Sequence, residues 1–238
     1  MTEKERDHLR PSLDRNRVLR IPTALLSDLS DRLCAPLVAY SASPLANAIF
    51  VPAYFIEMLL LIEDKRFTLH FGIDPFSIIR AIVFDLRGCA LQGGSTIPQQ
   101  LYNVRVYRAN LPPYDRTLAY KLRQSAWAIS NTTKLSRVRI LTEYIADVYF
   151  GRSLYGLVNA TKGYFDKSPS EITVAQAFFL SERIAAPNRI SPQRIANLLS
   201  RRAIVKALKK YQANVDNVIN LYDNLHGCGA EICRLLEK

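Results

Sequence analysis

The longest apolar stretch of the chain, residues 48–62, is interrupted by Pro52 and Glu57. It falls short of the roughly 18 uninterrupted apolar residues of a membrane-spanning helix and reads as a buried helix. The helix is predicted over about 44–64, with Pro52 limiting its first part. A second stretch, 75–86, places Ile78, Ile79, Ile82, Val83 and Leu86 at helical spacing. Beyond a glycine-containing break at 88–94, Thr96 and Gln99 make a capping box, and Pro98 is tolerated in a first helical turn. Pro112 and Pro113 then break the chain. Asp115 is expected to cap a helix over 116–134, and Ser136 the next. In that next helix Ile140, Leu141, Tyr144, Ile145, Val148 and Tyr149 form one apolar stripe, ended by Gly151. Thr173 with Gln176 opens a helix to about Ala185, 187–192 is a loop, and two helices are predicted over 192–213 and 214–226. Period-two alternation is scarce, so the predicted fold class is all-α, mainly helical.

Composition narrows this little but usefully. A chain of 238 residues that is 49% apolar and 22% charged can bury a core without staples, and disorder over most of its length is excluded. No repeat and no Gly-, Ser- or Pro-rich linker divides it. The charged start, Met1 to Arg10, lacks the apolar stretch of a signal peptide. Cys228 and Cys233 pair or stay reduced according to compartment, and none of the four cysteines has metal-ligand spacing with a histidine.

The net charge of +11 points to a polyanion without choosing one. Its distribution says more: 101–139 carries eight basic residues and one acid, and 183–210 eight basic residues and none. A basic helical nucleic-acid binder would use the second block, but no helix-turn-helix or zinc pattern accompanies it, so nucleic acid is not the expected partner. An anionic membrane surface is. Trp127, in helical register with Leu118, Leu122 and Ile129, is expected in the core, and His8 and His226 in solvent.

Two clusters carry chemistry. Glu63 ends the first apolar helix, where partial desolvation raises a carboxyl pKa and suits proton transfer, although acids at helix ends more often simply face water. Asp64, Phe67, His70, Gly72 and Asp74 follow it closely. Gly93-Gly94-Ser95-Thr96-Ile97, with Gln99 and Gln100, brings a close backbone, hydroxyls and amides to a helix start, which serves equally as a plain capped turn or as a ligand-binding turn.

Taken together, in order and at this spacing, the clusters resemble the peptidoglycan glycosyltransferases of glycosyltransferase family 51. Their pattern E-D-x-x-F-x-x-H-x-G-x-D is filled by Glu63, Asp64, Phe67, His70, Gly72 and Asp74, and G-G-S-T-I-x-Q-Q by 93–100. Further matches include Ile140, Leu141, Tyr144, Gly151, Ala160, Tyr164, Phe165, Lys167 and Pro187. The resemblance implies a lysozyme-like glycosyltransferase domain over 44–195, preceded by an arm at 1–43 and followed by a helical extension at 196–238 packed on it. It implies polymerisation of lipid II into glycan strands at the outer face of the bacterial inner membrane, with inversion and loss of undecaprenyl pyrophosphate. Glu63 would be the general base and Gln124 would hold the place of a second carboxylate. Asp64, His70, Ser95, Thr96, Gln99, Gln100, Arg105, Arg116 and Lys121 would serve substrate, Lys121 at the pyrophosphate. The implied ion is Mg2+ or Mn2+, with no ligand set legible, and no organic cofactor is implied. The apolar segment 75–87, with Phe76, Ile78, Ile79, Ile82, Val83 and Phe84, would dip into the membrane.

The sequence also departs from the pattern. The Glu of R-K-x-x-E is Gln124, and the Lys-Asn after the paired glutamines is Asn103-Val104, for which Arg105 or Arg108 would have to substitute. Relatives carry an N-terminal anchor and often a transpeptidase, and neither is expected here. Such losses leave open a lipid-II- or glycan-binding relative without turnover, or glycan cleavage on the same frame.

Overall fold

In a computed structural model the described residues are 50–77, 94–108 and 117–237, with the side chains of Tyr107, Arg108 and Leu118 left aside. The expected arm at 1–43, most of the 75–87 segment, Gly93, Asp115 and Arg116 lie outside them.

Among the described residues ten α-helices form: α1 Ala53–Glu63, α2 Ile97–Arg108, α3 Leu118–Lys134, α4 Arg137–Asp147, α5 Leu157–Phe165, α6 Val174–Ala185, α7 Pro192–Leu199, α8 Arg202–Lys210, α9 Val215–His226 and α10 Gly229–Leu236. The only β pairing among them is one bridge between Tyr149 and Tyr155.

Two helices are apolar nearly all round, the mark of a helix at the centre of a core. In α1, Phe55, Ile56, Met58, Leu59, Leu60 and Leu61 are buried, and in α6 every residue from Ala177 to Ile184 is. They pack on each other. The remaining helices enclose them: α8 lies on α1, α9 on α6, and α2 on both α3 and α4. Truncating one of the central side chains, as in Leu60→Ala, would cost about 2–5 kcal/mol.

The caps explain the helix starts. Thr96 and Gln99 bond reciprocally at α2, as do Thr173 and Gln176 at α6, while the Ser136 hydroxyl accepts from Arg139 N at α4. Thr117 caps α3, accepting from Tyr120 N.

Four expectations need correction. The helix α4 ends at Asp147 rather than Gly151, because Val148 turns to extended backbone and Tyr149 enters the bridge with Tyr155. The stretch 192–213 is two helices, broken where Arg201 adopts extended backbone before α8, and the helical extension expected to residue 238 closes with α10, a helix not separately bounded in the sequence pattern. Leu122 is 62% exposed and Ile129 also faces out, since α3 turns a polar residue, Gln124, toward its neighbours. Trp127 is partly buried against the core. His226 is not simply solvated: its ring stacks on Phe179 at 6.0 Å between centroids. Cys228 and Cys233 are both free thiols.

Candidate active site

The site grows from the end of α1, where Glu63 and Asp64 are adjacent and do different work. Asp64 is buried, and its carboxylate accepts from the amide of Ile97, the first residue of α2, at 2.9 Å. His70 Nε2 lies 2.9 and 3.0 Å from the same carboxylate. Gly72 N donates to His70 Nδ1 at 3.2 Å, which assigns the proton to Nε2 and makes His70 a donor to Asp64. One carboxylate therefore fixes the start of α2 and the loop 65–74 together. Arg137 reaches the same loop from α4, donating to the His70 carbonyl and covering the Phe67 ring.

Gly72 completes the joint. Its φ is +91°, and a Cβ there would overlap the Ala128 carbonyl of α3. Its own carbonyl accepts from the Thr96 hydroxyl. Asp74 is held by Arg66, by the Ser77 hydroxyl and by Phe76 N. Burial pushes its carboxyl up, but the bonds from Ser77 and Arg66 outweigh that and hold it below the usual carboxylate range.

Glu63 is the exceptional acid. Burial raises its pKa above the ordinary value, and the Asp64 and Glu182 charges add to this; the Gln100 hydrogen bond and Arg194 pull the other way. Gln100 Nε2 donates to Glu63 Oε2 at 2.9 Å, and Tyr144 OH donates to Gln100 Oε1 at 2.6 Å. Burial keeps the Tyr144 phenol protonated well beyond its usual range, with Glu63 and Asp64 adding to the effect, so it remains a donor. Arg194 Nη2 stands 3.9 Å from Glu63 Oε1, a charge neighbour rather than a hydrogen-bond donor. Oε1 is thus the oxygen left for a proton.

Beneath Glu63 lies a buried ionic cluster. Glu182, with no exposed surface, receives Arg183 and the Tyr222 hydroxyl, the latter at 3.0 Å, and Arg194 Nε lies 3.3 Å away. The last is an ion pair without hydrogen-bond alignment: both Arg194 Nε and Glu182 Oε1 are left without a hydrogen bond. Sequence reasoning missed Tyr144, Glu182, Arg183, Arg194 and Tyr222. Arg194 lies near Glu63, Tyr144 reaches Gln100, and Arg183 and Tyr222 reach Glu182, all through tertiary packing, and a Glu-Arg pair inside an otherwise apolar helix was one available signal.

On the other side of α2, Lys121 Nζ donates to Gln124 Oε1 at 3.0 Å and approaches Ser95 Oγ at 3.4 Å. Burial lowers the Lys121 pKa. Gln124 is fully buried, and its amide nitrogen donates to the Gln99 carbonyl at 3.0 Å and to Asn103 Oδ1 at 2.6 Å. Tyr120 OH also donates to Asn103 Oδ1.

The other expected site residues divide. Thr96 and Gln99 are buried, and their polar groups hold the capping box, the Gly72 carbonyl and Ser125, so both act from within the fold. Arg105 is turned away from Lys121: Glu143 at 2.9 Å and Asp147 at 3.5 Å engage it, so it does not replace the missing lysine as a free cation. The basic stretch 183–210 is not one surface. Arg183 is buried and Lys210 pairs with Glu57, while Arg202, Lys206 and Lys209 are exposed and line a hollow with Ser200 and Val205. Of the residues expected on the membrane-dipping segment, only Phe76 is described; it is exposed, as are Leu69 and Phe71.

A hard divalent cation needs several oxygen ligands, usually carboxylates. Around Gln124 the described side chains offer amides, a hydroxyl and an ammonium but no carboxylate, and Gln124 Oε1 already accepts from Lys121. Those residues do not fit a divalent ion. No group of three His, Cys, Asp or Glu suited to a metal occurs among the described residues.

A helical frame with a buried carboxylate at the end of its central helix is that of a lysozyme-like glycosyltransferase domain. Residues 37–210 match the family described as "Transglycosylase", and the chain belongs to that family. It is 31% identical to penicillin-binding protein 1A of Streptococcus oralis over 183 residues, covering 76% of this chain and 28% of that protein. It is 34% identical to penicillin-binding protein 1B of Haemophilus influenzae over 191 residues, 77% of this chain and 22% of that one. It is also 35% identical to penicillin-binding protein 1C of Escherichia coli over 141 residues, 59% and 18%. The chain thus spans about a quarter of the length of the first two relatives.

Proposed function

We propose that this chain is a peptidoglycan glycosyltransferase that polymerises lipid II into glycan strands, with Glu63 as general base. One observation carries the reading: Glu63 is desolvated at the end of α1, oriented through one oxygen by Gln100, and left with Oε1 open. A base of raised pKa accepts a proton effectively near neutral pH. Oε1 takes the proton of an acceptor sugar 4-hydroxyl as that oxygen attacks the anomeric carbon of the lipid-linked chain. The bond from that carbon to the pyrophosphate oxygen breaks, the pyrophosphate-lipid departs, and the configuration inverts.

Lys121 and Ser95 serve the anionic departing group, since a positioned cation stabilises charge that develops in the transition state. Asp64, His70 and Gly72 place the base against α2. The proposed setting is the outer face of the inner membrane, with exposed Leu69, Phe71 and Phe76 toward lipid. No helix among the described residues is long and apolar enough to cross a membrane.

The test is incubation with labelled lipid II in detergent, with and without Mg2+ or Mn2+, beside Glu63→Gln. Polymer from the wild type and none from the variant supports the reading. Lipid II binding without polymer from either replaces it with a binding role.

A further inference from the structure

The two departures at 103 and 124 meet in space. Gln124 Nε2 and Asn103 Oδ1 are 2.6 Å apart, so positions where the resembled pattern has a glutamate and a lysine hold two neutral amides in contact. The surroundings fix the orientation. The Gln124 amide nitrogen faces two oxygens, Gln99 O and Asn103 Oδ1, so its oxygen must face Lys121. A glutamate at 124 would set an acceptor against the Gln99 carbonyl and Asn103 Oδ1 and remove the donor that Gln124 supplies to each, leaving Asn103 Oδ1, among the described residues, with Tyr120 OH alone. It would also neutralise Lys121.

Lys121 has no carboxylate partner among the described residues: both its bonds are to neutral groups, Ser95 and Gln124. Exchanging both members of the pair leaves the local net charge as a lysine and a glutamate would have left it. Exchanging only one would not. We propose that Asn103 and Gln124 act as one neutral unit that keeps Lys121 as an uncompensated cation, so that a diphosphate group is bound there without a divalent ion. In this arrangement Lys121 and Ser95 touch the diphosphate, and Gln124 and Asn103 are positioning residues behind them. The proposal rests on the glycosyl-transfer reading only for naming a diphosphate as the departing group.

The test measures binding of inorganic pyrophosphate by calorimetry, in EDTA and in Mg2+, on the full chain, with thermal melting of each variant as a folding check. The wild type is expected to bind in EDTA at least as tightly as in Mg2+. Lys121→Met and Gln124→Glu should each weaken metal-free binding by about tenfold or more, as expected when a close charge is removed or compensated. Mg2+ should recover binding to Gln124→Glu, and adding Asn103→Lys to it should recover metal-free binding. Gln124→Met, which removes the bond that positions Lys121 but leaves its charge uncompensated, should weaken metal-free binding clearly less than Lys121→Met or Gln124→Glu does. If Gln124→Glu does not fold, Gln124→Met against Lys121→Met still decides. The proposal is overturned if the wild type needs Mg2+ to bind, if Gln124→Met loses as much as Lys121→Met, or if Gln124→Glu binds as the wild type does in EDTA. Metal-free pyrophosphate binding in a chain that makes no polymer from lipid II would remove the functional reading and leave this inference standing.

Discussion

Gln100 Nε2 donates to Glu63 Oε2 at 2.9 Å across the α1–α2 contact, and this bond opposes the burial that raises the Glu63 pKa. Removing the donor in Gln100→Leu leaves burial less opposed, so the pKa rises further. A general base works deprotonated, so the acid limb of kcat/KM should move to higher pH. At neutral pH the rate should fall by about tenfold to a hundredfold, less than the loss in Glu63→Gln, and recover partly as pH rises. A pH–rate profile on lipid II checks this, and an unmoved acid limb would contradict it.

Glu63 itself should cost stability at neutral pH. Its folded pKa lies above the ordinary 4.5, so the folded state holds the proton more tightly than the unfolded chain does. Stability is therefore fully present below pH 4.5 and lost as pH rises through the folded pKa. Glu63→Gln should melt higher than the wild type at pH 7 by a few degrees, the effect of about 1 kcal/mol in a chain of this length. The gap should close below pH 4.5. Melting curves at pH 4 and pH 7 read the difference, and equal gaps at both would count against a desolvated acid.

Gly72→Ala should be severe, because both the positive φ and the Ala128 carbonyl reject a Cβ. The expected loss is about 3 kcal/mol or more by chemical denaturation. Activity should fall further than unfolding alone explains, since the same residue supports His70 and Thr96.

Tyr222→Phe removes one neutral donor from Glu182 and should cost about 1–2 kcal/mol. Glu182→Leu leaves Arg183 buried without its carboxylate and should cost about 3–5 kcal/mol. Urea titrations of the two variants should rank them in that order.

Much of this was legible in the residues, and the boundary is physical. The capping boxes at Thr96 and Thr173 and the buried face of Ile140, Leu141, Tyr144 and Ile145 are local patterns and legible as such, whereas Val148 and Tyr149, assigned to the same stripe, lie past the end of α4. The pairing of Glu63 with Gln100 was legible because the family resemblance joins the two short motifs that carry them. The break at Ser200–Arg201 was not, because Ser200 and Arg201 lie within a register of Ile195, Leu198, Leu199, Ile204 and Leu208 that continues across it. Nor was the burial of Gln124: the oxygens that make burial tolerable sit on α2, some twenty positions away in the chain. Arg105 shows the same limit in reverse, since its nearness in sequence to the paired glutamines said nothing of Glu143 and Asp147.

The Tyr222 hydroxyl on α9 bonds Glu182, and its ring lies 5.3 Å from that of Phe179. The family match ends at residue 210, yet a chain cut there would lose this donor and bare the aromatic face of α6 to water. The folding unit is therefore longer than the homologous one. Any exchange of this domain between proteins should be spliced beyond α10, not at the border that sequence similarity draws.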